Sequence, residues 1–246
     1  MLMKKILFPL ISIMMAYLLA MSATSAPQSG AMQATANQPL SIKPTAVEMM
    51  PDLTMAEFDQ LEELAATGEI DVDSIYSLPV YSELYSGACS WYCGGWVDTL
   101  TASSHLGPQG HFTYEAKNAH DFDHESVWAT KGYGIGEYLT FTFDGNCPRI
   151  TSVAILNGHV KTEKAWRNNS RVKSLLLYYN DSPYRLLELE DSRSLQYFDV
   201  DTLGYGPSQE NAPKWTLKFE IKEVYPGEKY DDTVIAEFLF DGIDVH

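Results

Sequence analysis

From about Trp96 onward, apolar and polar residues alternate with a period of two, the pattern of half-buried strands. Leu139, Phe141 and Phe143 fall on one face, and Tyr138, Thr140 and Thr142 fall on the other. Trp215, Leu217, Phe219 and Ile221 likewise alternate with Thr216, Lys218, Glu220 and Lys222. Residues 151–156 and 172–179 read as further strands, and 234–240 as a closing one. Asp144-Gly145, Asn157-Gly158, Asn180-Asp181 and Pro226-Gly227 are turn pairs that separate them. Strands in close succession, with no long helix between them, predict antiparallel pairing in an all-β domain whose two sheets pack face to face.

Upstream the period lengthens. Thr54 and Glu57 stand at capping-box spacing, Phe58, Leu61, Leu64 and Ala65 recur at helical intervals, and Gly68 suits the end of the helix. A short helix is therefore expected at the start of a lead-in segment, residues 54–88. Between Glu48 and Asp73 there are nine acidic residues and no basic one, so a solvated face is expected there. Pro27 to Pro44 is rich in Ala, Gln, Ser and Pro without an apolar period, and residues 27–53 are expected to form a flexible linker. Residues 1–26 carry Lys4 and Lys5, then the apolar run Ile6 to Leu19, then small residues. That order is a secretory signal peptide, with cleavage after Ala23 or Ala26 both open. The apolar run is short for a membrane span. The expected location is outside the cell or in the periplasm or cell envelope, with residues 89–246 as the folded domain.

Charge and cysteines narrow the chemistry. The formal net charge of −16 repels a phosphate backbone and argues against nucleic-acid binding. Cys89, Cys93 and Cys147 are the three cysteines. Export permits a disulfide between any two of them, and the odd count leaves one over. A zinc site is disfavoured, since no Cys pair has the usual spacing and no His stands at a matching one. There is no Gly-x-Ser-x-Gly elbow, no His-Glu-x-x-His and no phosphate loop: Lys131-Gly-Tyr-Gly-Ile-Gly136 lacks the following Lys-Ser/Thr and leads into a strand. His120 and His124 bracket Asp121 and Asp123, but His residues this close in one loop read as surface residues.

An ordered set of short motifs carries a resemblance. It runs through Thr101-Ala-Ser-Ser104, Tyr114-Glu-Ala-Lys-Asn118, Asp121-Phe-Asp123 and Trp128, then Gly132-Tyr-Gly-Ile-Gly-Glu137. Asn157-Gly158, Lys161, Glu163, Trp166, Asn168-Asn169 and Arg171-Val172 follow, and Glu223-Val-Tyr-Pro-Gly227, Tyr230, Asp232-Thr233 and Ala236-Glu237 close it. Over residues 91–240 the chain resembles the NADase-type glycan-binding domain of the discoidin-like, galactose-binding-like superfamily. The resemblance implies a jelly-roll β-sandwich and a carbohydrate ligand. It does not imply NAD hydrolysis, which in the NAD-glycohydrolase toxins that carry such a domain belongs to a separate domain. Phe122 and Ser126 depart from the Gly and Thr common in the superfamily.

Two sites follow. Asp121, Asp123 and the Ser126 hydroxyl in one tight loop offer the hard oxygen ligands calcium prefers, and the resemblance adds the Ala236 carbonyl and the Glu237 carboxylate. Such a calcium ion would be structural. The alternative is that the two Asp residues cap the turn. The ligand site is expected among Tyr133, Asn157, Lys161, Glu163, Trp166, Asn168 and Arg171. Here a basic loop around a Trp combines a stacking surface for sugar with hydrogen-bonding groups, and an anionic glycan or acidic partner would fit it. The alternative is a solvated loop with Trp166 plugging the end of the fold. The reading is an exported, non-catalytic carbohydrate-binding module. A protein–protein adaptor of the envelope, using an apolar patch near residues 75–85, and a hydrolase with an unrecognised site are the alternatives.

Overall fold

The structure is a computed structural model that describes residues 38–51, 54–73 and 91–245. The expected signal peptide, residues 27–37, 52 and 53 of the linker, Cys89 and the 75–85 segment lie outside the described residues. Eleven strands follow in chain order: β1 (Leu40–Ile42), β2 (Ala46–Met49), β3 (Thr99–Ala102), β4 (Trp128–Ala129), β5 (Tyr138–Phe143), β6 (Arg149–Asn157), β7 (Ser170–Tyr179), β8 (Ser182–Glu188), β9 (Ser194–Leu203), β10 (Trp215–Tyr225) and β11 (Thr233–Ile243). Two helices accompany them, α1 (Met55–Ala66) and α2 (Glu163–Asn168).

The alternation read in β5 and β10 holds residue for residue. Phe141 faces Leu217 and Leu139 faces Phe219 across the antiparallel pair, and all four are buried. The main hydrogen-bonded path runs β2-β9-β6-β11-β7-β10-β5-β3, with β8 on β7, β1 on β8 and β4 on β11. β11 is the junction. It pairs antiparallel with β6 along most of its length, but meets β7 in parallel only at Thr233 and Val234. Rings from the two sides of that junction touch: Phe238 of β11 lies 4.6 Å from Phe219 of β10 and 5.3 Å from Phe141 of β5, centroid to centroid. The domain is thus β-rich, with both halves of the strand path packed on one aromatic core. Trp91 is fully buried in this core and donates from Nε1 to the Pro148 carbonyl at 3.0 Å.

α1 begins as its cap spacing predicts. Glu57 N–H donates to the Thr54 hydroxyl, and Thr54 N–H donates to the Glu57 carboxylate at 2.7 Å. The linker expectation needs correction at residues 40–49, where β1 adds in parallel to β8 and β2 adds antiparallel to β9. Unpaired strand edges gain hydrogen bonds from any extended segment laid beside them, whatever its side-chain pattern. Two further strands, β8 and β9, were not legible as such, and α2 sits inside the stretch expected to be a basic loop.

Candidate functional site

The end of β6 and the segment that follows it form one wall of the site. Asn157 is 1% exposed, and its side-chain amide closes a pair of bonds with the Val172 backbone: Nδ2 donates to the Val172 carbonyl at 2.7 Å, and Val172 N–H donates to Oδ1 at 3.0 Å. Gly158 then turns with φ +92°, where a Cβ would meet Trp166 Cδ1 at 2.7 Å. Thr162 caps α2 by accepting from Ala165 N–H. Trp166 donates to the Asn157 carbonyl at 3.1 Å, and the Arg171 guanidinium lies 4.4 Å above its ring. Arg171 is itself buried and holds Asp191 through two parallel bonds of 2.9 and 3.0 Å. Asn157, Trp166 and Arg171 therefore stand behind the wall instead of on an open rim, because each spends its polar groups on its neighbours.

The basic cluster is also dispersed by pairing. Lys161 meets Glu125 at 2.6 Å, Arg167 meets Glu163 at 2.7 Å along α2, and Arg171 meets Asp191. Lys164 on α2 is exposed with no ion pair among the described residues, so the stretch is less cationic than its sequence suggests but not neutral. Tyr133 is exposed but bonds to Asp231, and Glu163 is committed to Arg167.

In front of the wall lie two adjoining hollows of about 280 and 580 Å³, both lined by Gln109, Tyr114, Val127 and His159. The larger extends past His111 and Phe112 to Glu125 and Lys161. The smaller extends past Asn168 and Asn169 to Tyr230 and Asp232. Together they form a groove with an aromatic contribution from Phe112, Tyr114 and Tyr230; Phe112 is 67% exposed and Tyr230 43%. Burial and the neighbouring Asp232 and Tyr230 push the Tyr114 phenol up. Burial, reinforced by the Lys161 charge, pulls the His159 imidazole down, so it is neutral at pH 7, and its buried Nδ1 has no hydrogen-bond partner among the described residues. Of the residues expected to bind ligand, Lys161 and Asn168 line this groove. Gln109, His111, Phe112, Tyr114, His159, Tyr230 and Asp232 were missed. The exposed aromatic Phe112, just after the Pro108-Gln109-Gly110 turn, was the signal available. A separate hollow of about 360 Å³ is lined by Lys43 and Pro44, with Lys173 paired to Glu223 and Glu188 accepting from Ser41 Oγ.

The acidic loop adjoins the groove, since Asp123 and Ser126 line its larger part. Glu237 is fully buried and accepts the Asp121 and Asp123 amides on Oε1 at 3.3 and 3.1 Å. Among the described residues its Oε2 is buried without a hydrogen-bond partner. Burial, with the nearby Asp121 carboxyl, raises Glu237 well above the usual carboxylate range. Ser126 Oγ donates to Asp121 Oδ2 at 2.7 Å. Among the described residues no group of three or more His, Cys, Asp and Glu side chains gathers as a metal cluster. The donors here are two or three carboxylates with a hydroxyl, all oxygen, and the orphaned Oε2 fits a hard cation. His120 does not belong to such a set: its Nδ1 lies 2.7 Å from the Phe238 carbonyl, and its ring packs against Tyr92, Phe122, Phe141 and Phe240. Cys147 is a buried free thiol with Sγ 3.6 Å from the Trp96 carbonyl, and burial raises it; Cys93 is exposed.

With strand order, aromatic core and acidic loop in place, comparison with protein families is decisive, because the profile of the NAD glycohydrolase translocation F5/8 type C domain matches residues 91–241. The chain belongs to that family. The family is described as a translocation domain of the F5/8 type C kind, a kind that is typically non-catalytic. Nothing matches among curated proteins. Solved structures with similarity to this F5/8 type C domain include a mycobacterial arabinofuranosyltransferase (14% identity, 59% of this chain and 11% of that one, TM-score 0.38). A fucosidase of Ruminococcus gnavus in complex with fucose (17% identity, 62% and 26%, TM-score 0.31) is another. A third is a chitosan-binding module from a chitosanase/glucanase of Paenibacillus sp. IK-5 (15% identity, 58% and 93%, TM-score 0.34). The chain thus spans about a tenth of the arabinofuranosyltransferase and a quarter of the fucosidase. No helix among the described residues is long and apolar enough to cross a membrane.

Proposed function

We propose that this protein is an exported, non-catalytic carbohydrate-binding module that acts at the cell envelope or outside the cell. In this reading the domain is a jelly-roll β-sandwich, and an oligosaccharide lies in the groove between residues 106–114 and the 159–169 wall. The observation that carries it is the composition of the groove. Phe112, Tyr114 and Tyr230 present apolar ring surface beside Gln109, His159 and Asn168. Sugars ask for this combination, since their C–H faces stack on rings while their hydroxyls need directional partners. Calcium bound by Asp121, Asp123, Ser126, the Ala236 carbonyl and Glu237 would tie β11 to the groove's acidic wall, a structural role. The test is a glycan-array screen of the purified protein, with calcium and with chelator, alongside Tyr230→Ala. Reproducible hits that the variant loses while remaining folded support the reading. A blank array from folded protein in both conditions overturns it for the glycans displayed.

A further inference from the structure

The charges that line the groove select among glycans. Asp123, Glu125 and Asp232 face it against the single Lys161. Glu125 is neutralised by Lys161 at 2.6 Å, and Asp123 is turned into its own loop, accepting Glu125 N–H at 2.9 Å. Asp232 is different. Its Oδ1 accepts Gly132 N–H at 2.9 Å, and it makes no ion pair among the described residues. It stands beside the Tyr114 and Tyr230 rings, and Asp231 follows Tyr230 directly in the chain. The Lys229 ammonium of the chain itself lies 4.7 Å from the Tyr230 ring centroid, within the range at which a ring attracts a cation, and a bound ammonium would share or displace it there. A carboxylate without a counter-ion, flanked by two tyrosine rings and the Asn168 amide, is a receptor for a protonated amine. At the other end of the groove the paired Lys161 leaves no net positive charge for a uronate or sialate.

Resting on the carbohydrate reading above, we infer that the groove takes a glycan bearing free amino groups, with an ammonium at Asp232 between Tyr114 and Tyr230, and discriminates against polyuronates. The groove is continuous through the residues its two hollows share, so the ligand is a stretch of chain spanning both.

The experiment is calorimetric titration of the full chain with three oligosaccharides of equal length: glucosamine oligomers, their fully N-acetylated counterparts, and galacturonate oligomers. The pH is kept low enough for the amines to be charged. The glucosamine oligomer is expected to bind about two- to fivefold tighter than the acetylated one, the scale of one part-exposed ion pair. That advantage is expected to shrink with added salt. Asp232→Asn retains the acceptor for Gly132 N–H, so the loop stays folded, and it is expected to erase the advantage. Tyr230→Ala, at an exposed ring, is expected to weaken both amino and acetylated oligomers. Equal or tighter binding of the acetylated or galacturonate oligomer, or an advantage that survives Asp232→Asn, overturns this inference and leaves the carbohydrate reading standing. Failure of all three oligomers overturns the inference, while the carbohydrate reading is then decided by the array.

Discussion

Asn157→Ala separates a structural from a ligand-contacting role at the residue where the two readings diverge most. The side chain is 1% exposed, and both ends of its amide bond the Val172 backbone in the interior, at 2.7 and 3.0 Å. β6 and β7 are not neighbours in the hydrogen-bonded path, since β11 lies between them. The Val172 N–H and C=O both turn to the Asn157 amide, so truncation leaves a buried N–H and a buried C=O unmet. Each such loss costs about 1–3 kcal/mol, so about 2–6 kcal/mol is expected in all, a large part of a typical domain's stability. Urea unfolding followed by tryptophan fluorescence reads this as a lower midpoint at unchanged slope. Asn157→Asp sharpens the test. It keeps the acceptor for Val172 N–H but sets a carboxylate oxygen against the Val172 carbonyl, so it is expected to lose at least as much at neutral pH. Part of that loss is expected to return on acidification, when the carboxyl can donate. A loss below about 1 kcal/mol in Asn157→Ala, or a selective loss of glycan binding at full stability, would refute the reasoning.

Three further outcomes are expected. Calcium at a hundredfold excess over its dissociation constant is expected to stabilise the wild type by about 2.7 kcal/mol in thermal or urea unfolding, and Glu237→Gln is expected to abolish that response. In chelator the same variant is expected to be more stable than wild type at neutral pH, because it no longer has to bury a carboxylate. Gly158→Ala is expected to cost about 2 kcal/mol or more, measured by urea midpoint, from a φ of +92° and a methyl placed 2.7 Å from Trp166 Cδ1. His159 is held below the ordinary histidine value of 6.5, so the unfolded chain takes up its proton first. Its contribution to stability is therefore complete above 6.5 and is lost as pH falls below it, and His159→Gln is expected to flatten that slope in a pH series of unfolding midpoints.

What the sequence disclosed depended on whether a feature was local. β5 and β10 were legible because each buries one face, and the alternation alone marks it. The cap of α1 was legible because Thr54 and Glu57 act within one turn. β1 and β2 were not, because they form where two edges wait for them and carry little pattern; Leu40, Val47 and Met49 are all exposed. The groove was hidden for the same reason. Gln109, His159 and Tyr230 lie far apart in the chain and meet only through the strands that carry their loops. The cations of the 158–171 stretch were read as a cluster because their partners Glu125 and Asp191 lie outside it. Pairing decided the electrostatics of the groove, and no window along the sequence contains both members.

The same dependence on distant chain enlarges the folding unit beyond the stretch that matches the family. The matched residues begin at 91, yet within them β8 and β9 each keep a side that the strands of residues 40–49 cover. β1 covers β8 and β2 covers β9, closing positions where exposed backbone groups would invite pairing with another chain. The chain leaving β2 then reaches the second, smaller hydrophobic cluster through Met50, which is buried among Leu195, Val160 and Trp166. That cluster also contains Val127, Ala129 and Val234, which line the groove from below. Met50 N–H is fixed to the Arg193 carbonyl at 3.0 Å, and Arg193 Nε in turn holds the Val160 carbonyl at 2.8 Å, just before the groove wall at Lys161. A segment that looks like linker in sequence therefore seals two sheet edges and packs into the layer on which the groove residues rest. The groove is a property of the whole unit from about residue 39 onward, and its shape cannot be separated from the strands that precede the family domain.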